Sequence, residues 1–354
     1  MELLMLQNLS ASVVVLGATG MVGQRAVSLL QGHPWLHLVG LAASARSAGK
    51  KYSEACRWAL ASEPYGSQGD KMVKLCAPAS FQDVSGVKIA ISALPGETAS
   101  HVELAFAAAG WIVVSNASAH RMVSTVPLVI PEVNGQHLNA TRLADGGIIT
   151  NPNCTAVPLT VSLAALQKRT PIEAVTVASY QAVSGAGYPG ESAFDMIGNV
   201  RPHPGDEEEK LAMEPAKMLG EWNGTAFTPA SFSVSARCVR VPVVDGHLVA
   251  VHVRTKEAIS VEEAQSLFRS FHSSSCAELP SSPTPLIQIR AERDRPQPRL
   301  DAMYGGGMGI TVGRIEVCPV MGLKYFALAH NTLRGAAGAA ILNAELALAS
   351  LVKG

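Results

Sequence analysis

The sequence predicts an α/β protein: a doubly wound parallel sheet joined to a second, α+β domain. Three observations carry this. A strand, a glycine turn and a helix follow one another at residues 12–30. Apolar strands and helices then alternate to about residue 150. After residue 154 the texture becomes strand-rich with fewer helices. The first two patterns are those of a parallel sheet with crossover helices.

Length and composition set the frame. At 354 residues, about two domains are expected. A hydrophobic fraction of 48% against 16% charged suits a compact, well-buried protein. Lys+Arg and Asp+Glu both total 28, which argues against a polyanion-binding surface, so no nucleic-acid partner is expected. The six cysteines show no CxxC spacing, so neither a zinc site nor a disulfide framework is expected. Met1–Leu6 lacks a basic leader region, and no apolar run reads as membrane-spanning. The expectation is a soluble, cytoplasmic protein without metal or membrane contacts.

Ser12–Leu16 reads as a buried strand. Gly17, Ala18, Thr19, Gly20, Met21, Val22 and Gly23 follow, then a helix through Leu30. Glycines at this turn allow close approach of a pyrophosphate to a helix N-terminus, so the unit reads as a dinucleotide site. The spacing is GxxGxxG rather than GxGxxG. A second strand, Leu38–Ala43, ends in Ser44, Arg46 and Ser47 with no acidic residue. Hydroxyls and a guanidinium suit a 2′-phosphate, which points to NADP(H). Strands at Val87–Pro95 and Trp111–Ser115 flank a helix near His101–Ala109.

Gly147–Thr150 reads as a strand, and the segment after Thr155 as a helix with Val157, Val161 and Leu163–Leu166 spaced for one buried face. Between them lies Asn151-Pro152-Asn153-Cys154-Thr155. A cysteine at a strand-to-helix turn sits near the positive end of the helix dipole, which favours thiolate. Cys154 therefore reads as a covalent nucleophile, with a small buried cysteine as the plainer alternative. Asn153 reads as a helix cap or an amide aimed at an oxyanion.

Further strands are expected at 174–183, 232–241, 248–253, 309–317 and 325–329, and helices at 207–219 and 261–271. Residues 273–285 and 293–298 read as surface loops. A last, alanine-rich helix from Gly335 to Leu351 is expected to pack on the first domain.

Seven blocks in order, GATGMVG, SARSAGKKY, NPNCT, QAVSGAGYPG, GDEEEKLAMEPAKMLG, SARCVRVPVVDGH and HNTLRGAAGAA, span residue 17 to about 340. In these blocks the chain resembles the aspartate-semialdehyde dehydrogenases, most of all their archaeal and fungal branch. The resemblance implies a Rossmann-type cofactor domain, 1–153 completed by helix 333–354. It also implies a catalytic and dimerisation domain at 154–332. It implies reversible reduction of L-4-aspartyl phosphate by NADPH to L-aspartate 4-semialdehyde with release of inorganic phosphate. That step serves lysine, threonine, methionine and isoleucine biosynthesis. Cys154 would carry the thioester, His247 would serve as acid/base, and Gln181 would position.

By the same resemblance Arg240 would grip the substrate carboxylate, Glu214 and Lys217 the amino group and phosphate, and Arg121 the phosphate. Leu94, Ser184, Gly185 and Asn331 would line the cofactor. Pro215 departs from the usual pattern between Glu214 and Lys217, and Thr155 stands where Ser is common. A homodimer or homotetramer is implied. The competing reading is a CoA-thioester reductase of the malonyl-CoA reductase type.

Overall fold

The computed structural model describes residues 9–61 and 64–353. The Met1–Leu6 stretch lies outside the described residues. The first sheet contains β1 (Ala11–Leu16), β2 (Leu36–Ala43), β3 (Val73–Leu75), β4 (Lys88–Ser92), β5 (Ile112–Ser115) and β6 (Gly147–Thr150). Their order is β3-β2-β1-β4-β5-β6, and every pairing is parallel. Strand order reverses between β1 and β4, so the crevice beyond their C-terminal ends is where such a sheet binds ligands. Both sheet faces are covered, and β1, β4 and β5 are accordingly almost continuous Val, Ile and Ala. Helix α1 (Met21–Leu29) starts at the β1 turn, and α2 (Gly96–Ala108) follows β4.

Helix α3 (Ala156–Gln167) opens the second unit. The second sheet is mixed. It contains β7 (Ile172–Gln181), β8 (Arg201–Pro202), β9 (Ser233–Arg240), β10 (His247–Thr255), β11 (Ile287–Arg290), β12 (Ile310–Cys318) and β13 (Gly322–Ala329). Their order is β11-β12-β13-β10-β7-β9-β8. Only β7–β9 and β11–β12 pair in parallel. Helices α4 (Glu207–Met218) and α5 (Val261–Ser270) belong to this unit.

One expectation for α3 is corrected. Every residue from Ala156 to Leu166 is buried, not one face. The helix is sandwiched between the sheet and helices α4 and α5. A helix apolar all round has no solvent side to mark with polar residues. Strand β11 was absent from the sequence reading, because four residues hidden behind a proline-rich loop give no periodicity.

A second correction concerns the C-terminal helix. Leu333–Val352 is long and apolar enough to cross a membrane, contrary to the sequence reading, but 78% of its apolar 18-residue stretch is buried inside the protein. It forms a π-turn at Leu333–Ala337 and then α6 (Gly338–Lys353), which packs on α1, β4 and β5 of the first sheet. Its polar residues all have partners. Arg334 donates to both oxygens of Glu132 at 2.9 and 2.7 Å. Asn343 donates to Asn151 at 2.6 Å, and Glu345 contacts His33 at 2.8 Å. Such specific buried partners belong to a core helix, and Asn343 ties it to the strand end that leads to Cys154.

Candidate active site

The site forms where β6 hands over to α3. Asn151 and Pro152 leave the sheet edge, and Cys154 occupies the turn before the first helical residue. Asn151 is pinned from both sides: it donates to Asn116 Oδ1 at 2.9 Å and to Ala336 O at 3.2 Å. Cys154 opens on a cavity of about 270 Å³. Arg121, Gln181, Glu207, Lys210, Arg240 and His247 wall it on the catalytic side. Val22 of α1 and Asn331, Thr332 and Gly335 close it on the side of the glycine turn.

The thiol is enclosed but keeps some surface toward the cavity. Burial, with the Glu207 carboxylate second, pushes it up to about 12. Arg121 and Arg240 oppose this without overcoming it. The expected preference for thiolate is therefore corrected for the ligand-free site. Desolvation and a facing carboxylate both disfavour the charged form. Asn153 is corrected in part as well. Its Oδ1 accepts the N–H of Thr155 at 2.9 Å, a cap-like bond, but its amide donates to both oxygens of Glu207 at 3.1 and 2.9 Å. That amide is occupied and does not face an oxyanion.

Glu207 was passed over in the sequence reading and is central here. It accepts from Asn153, from Gln181 at 3.3 Å and from Lys210 at 3.1 Å. Burial pulls Lys210 down, yet Asp206 and Glu207 together hold its ammonium above the ordinary value. Gln181 is a bridge: its Oε1 accepts from Arg240 at 3.1 Å while its amide reaches Glu207. Arg240 also donates to Ala182 O at 3.1 Å, with Glu191 at 3.5 Å from its Nε.

The structure does not bring Glu214 and Lys217 into the cavity. Glu214 is 1% exposed and sits beneath the nucleophile turn. It accepts from Arg121 Nη1 at 3.0 Å and from the N–H of Asn153 at 2.5 Å. Lys217 donates to the carbonyls of Arg121, Val123 and Val126 at 2.6, 2.7 and 2.7 Å. An ammonium has three protons, and all three are spent. Both residues hold the Arg121 loop rather than a ligand. Pro215 does not interrupt α4, which continues to Met218.

His247, the first residue of β10, is fully buried. Its Nδ1 accepts the N–H of Ala182 at 3.0 Å. Burial, then the charges of Arg240 and His330, pull the ring down to about 3. Three buried nitrogens, Nε of Arg121, Nε of Arg240 and Nε2 of His247, have no hydrogen-bond partner among the described residues.

On the cofactor side, Gly17 (φ +77°) could not carry a side chain, since a Cβ would lie 2.6 Å from Ala93 O. At Gly23 a Cβ would meet Gly17 O, so the turn closes onto the helix. This leaves the backbone of Thr19, Gly20, Met21 and Val22 at the start of α1, the geometry a pyrophosphate requires. Ser44 and Arg46 are exposed at the end of β2, while Ser47 is buried with its N–H on Ser44 O. Leu94 follows β4 across the crevice. Asn331 donates to Ser184 Oγ at 2.8 Å and accepts from the N–H of Gly246 at 2.8 Å, fixing the Ser184-Gly185 loop over the cavity. Gly335 was also missed: a Cβ there would lie 2.6 Å from that of Cys154.

Comparison with known proteins agrees with this arrangement. Residues 12–141 match the family model for the semialdehyde dehydrogenase NAD binding domain, and 163–334 match its dimerisation domain. The aspartate-semialdehyde dehydrogenase of Archaeoglobus fulgidus is 49% identical over 342 residues, covering 95% of this chain and 97% of that one. That of Schizosaccharomyces pombe is 40% identical, covering 95% and 97%. The Candida albicans aspartate semialdehyde dehydrogenase, solved with NADP, superposes with a TM-score of 0.88 at 37% identity, covering 95% and 98%. None of these relatives is a CoA-thioester reductase. Two family models in tandem and full-length relatives lead to one conclusion: the chain belongs to the aspartate-semialdehyde dehydrogenase family.

Proposed function

We propose that this chain reduces L-4-aspartyl phosphate to L-aspartate 4-semialdehyde with NADPH, reversibly and through a thioester on Cys154. The observation that carries the reading is one cavity shared by a thiol, a carboxylate, three cations and the glycine-turn side of α1. A substrate with one carboxylate, one ammonium and one phosphate finds a counter-charge for each. Arg240 would hold the carboxylate with its planar fork. Glu207 would hold the ammonium, and Arg121 with Lys210 the phosphate, roles the sequence reading gave in part to Glu214 and Lys217.

Cys154 Sγ attacks the acyl carbon, the bond to the phosphate oxygen breaks, and phosphate leaves carrying the thiol proton. NADPH, when bound, supplies the hydride. The C–S bond then breaks, sulfur departs with its electron pair, and it takes a proton from solvent to restore the thiol. Gln181 keeps Arg240 and Glu207 in register throughout, and Glu214 keeps Arg121 beside the nucleophile turn.

The 2′-phosphate would meet Ser44, Arg46 and Ser47. Residues 1–153 with 333–354 would form the cofactor unit, and 154–332 the catalytic and dimerisation unit. Among the described residues no helix covers the sheet face bearing Thr176, Tyr180, Leu248, Ala250 and Phe326, and its half-exposed apolar residues suit self-association into a homodimer or homotetramer. Cytoplasmic residence is the matching expectation, since all six cysteines are free thiols.

The test is NADP reduction with aspartate semialdehyde, with and without phosphate. Phosphate-dependent NADPH formation is expected, and Cys154→Ser should bind NADPH yet lose turnover by about three orders of magnitude or more. Phosphate-independent turnover, or near-normal turnover in that variant, would refute the reading.

A further inference from the structure

Glu103 is an acid where the fold alone would not ask for one. It lies on α2, is fully buried under the end of β5, and takes no part in the cavity wall. Packing α2 on the sheet needs no charge. Phe106, one turn on, does that work with its ring 5.4 Å from that of Trp111 and 6.3 Å from that of Phe81. A carboxyl taken out of water is costly unless its oxygens are used, so its partners show what it holds.

Those partners belong to one loop. Glu103 Oε1 accepts from Ser115 Oγ at 2.7 Å, and the same hydroxyl accepts the N–H of Ala117 at 3.1 Å. Oε2 faces His120 Nε2 at 3.6 Å, within ion-pair reach. Ser92 Oγ, at the end of β4, lies beside the same carboxyl. Burial pushes that carboxyl up, and Ser92, Ser115, His120 and Arg121 oppose it. The two ends of the segment from Ser115 to Arg121 are thus held by one side chain. This segment carries three groups of the cavity wall, Asn116, Ser118 and Arg121. Beyond Ser115 it has no helix or strand to keep its shape. Arg121 follows His120 directly, and its Nη2 donates to Asn116 O at 2.7 Å. Asn116 donates its N–H and its amide to Ser92 O at 3.0 and 2.9 Å. Glu214 and Lys217 fix Arg121 from the α4 side, and Glu103 is their counterpart on the α2 side.

We propose that Glu103 is a positioning residue for the phosphate step: through Ser115 and His120 it sets the Ser115–Arg121 loop and so aims the Arg121 guanidinium at phosphate. This deepens the function proposed above and rests on it. The reaction run toward the acyl phosphate separates aiming from general support. Hydride first passes from the Cys154 thiohemiacetal to NADP as its hydroxyl loses a proton, which leaves the thioester. A phosphate oxygen then attacks the acyl carbon, the C–S bond breaks, and sulfur leaves with the electron pair. Only the second half uses phosphate, so a misaimed Arg121 slows that half alone. A misplacement of about 1 Å is enough for a loss on the order of 10²-fold.

The experiment is rapid-mix kinetics of the full-length enzyme with aspartate semialdehyde and NADP. Without phosphate, Glu103→Gln should give the wild-type burst of NADPH, in amplitude and rate, within about twofold. With phosphate, its steady-state kcat/KM for phosphate should fall by about 10-fold or more, while the KM values for aldehyde and NADP stay within about twofold. In an Arg121→Ala background the same change should cost less than about twofold, because the group it aims is gone. His120→Gln removes the other half of the tie and should give the same split, which keeps the test decisive should Glu103→Gln not fold. Equal loss of the burst and of phosphate-dependent turnover, an unchanged kcat/KM for phosphate, or full additivity with Arg121→Ala would overturn the proposal. A wild-type enzyme whose turnover ignores phosphate would instead refute the proposed function, a failure visible without any Glu103 variant.

Discussion

Lys217 and Lys210 lie seven residues apart on α4, and the structure gives them opposite work. Replacing Lys217 by Met keeps most of the stem and removes the ammonium. Three carbonyls then lose a charge-assisted bond, of about 1.5–3 kcal/mol each. The Arg121 carbonyl is buried and stays unsatisfied, whereas those of Val123 and Val126 are only partly buried and rehydrate in part. Some of the loss is returned, because burial, only partly opposed by the Glu214 charge, brings the ammonium down to about 8. The contact of Nζ with the Phe227 ring, 5.3 Å from its centroid, is lost too. The net expectation is a destabilisation of about 2–4 kcal/mol. At about 2–4 °C per kcal/mol, the Tm falls by about 4–16 °C.

Lys210→Met is the mirror experiment. Of its two partners Asp206 is largely exposed and Glu207 keeps Asn153 and Gln181, so the stability cost is about 0–1 kcal/mol and the Tm stays within a few degrees. Phosphate-dependent kcat/KM should nevertheless fall by about 10²-fold or more, as for loss of a cation on a transferring phosphoryl group. Thermal unfolding and steady-state kinetics of both variants decide it. A Lys217→Met enzyme with wild-type Tm and a raised phosphate KM would return the phosphate role to Lys217 and refute this reasoning.

Other consequences follow from the same geometry. Glu207→Gln removes the carboxylate that helps hold the Cys154 thiol high, so its alkylation midpoint should move to lower pH; peptide-resolved iodoacetamide rates would show it, and an unmoved midpoint would leave burial as the sole cause. Gly335→Ala forces a Cβ to within 2.6 Å of that of Cys154, so the nucleophile must shift, and turnover should fall by about 10²-fold with little change in substrate KM. Arg46→Ala should raise the KM for NADP more than that for NAD, which parallel titrations with the two cofactors would check.

The cofactor turn and the nucleophile were legible because their chemistry is local. GATGMVG and NPNCT each combine a strand end, a turn and a helix start within a dozen residues. What escaped depended on partners far along the chain. Gly335 is constrained by Cys154, 181 positions away, and no local pattern encodes it. The thiol's reluctance to ionise was hidden likewise, since its causes are enclosure and a carboxylate on another helix.

That the sequence reading named Glu214 and Lys217 and passed over Glu207 and Lys210 has a different origin, and it is geometric. Glu207/Lys210 and Glu214/Lys217 share the same spacing in the same helix. At 3.6 residues per turn, seven residues come within about 20° of two full turns, so both pairs lie on one stripe facing one way. Helical periodicity therefore cannot separate them. Only translation along the axis, about 10.5 Å, does so. The first turn of α4 reaches the cavity, while the later pair passes beneath the turn that bears Cys154. There a carboxylate and an ammonium cannot meet solvent or substrate, and they must be satisfied by the protein itself. Glu214 accordingly takes Arg121 and the Asn153 amide, and Lys217 takes three carbonyls of the Arg121 loop. One stripe of α4 thus presents charge to a ligand at its start and, two turns on, fixes the groups that must face that ligand.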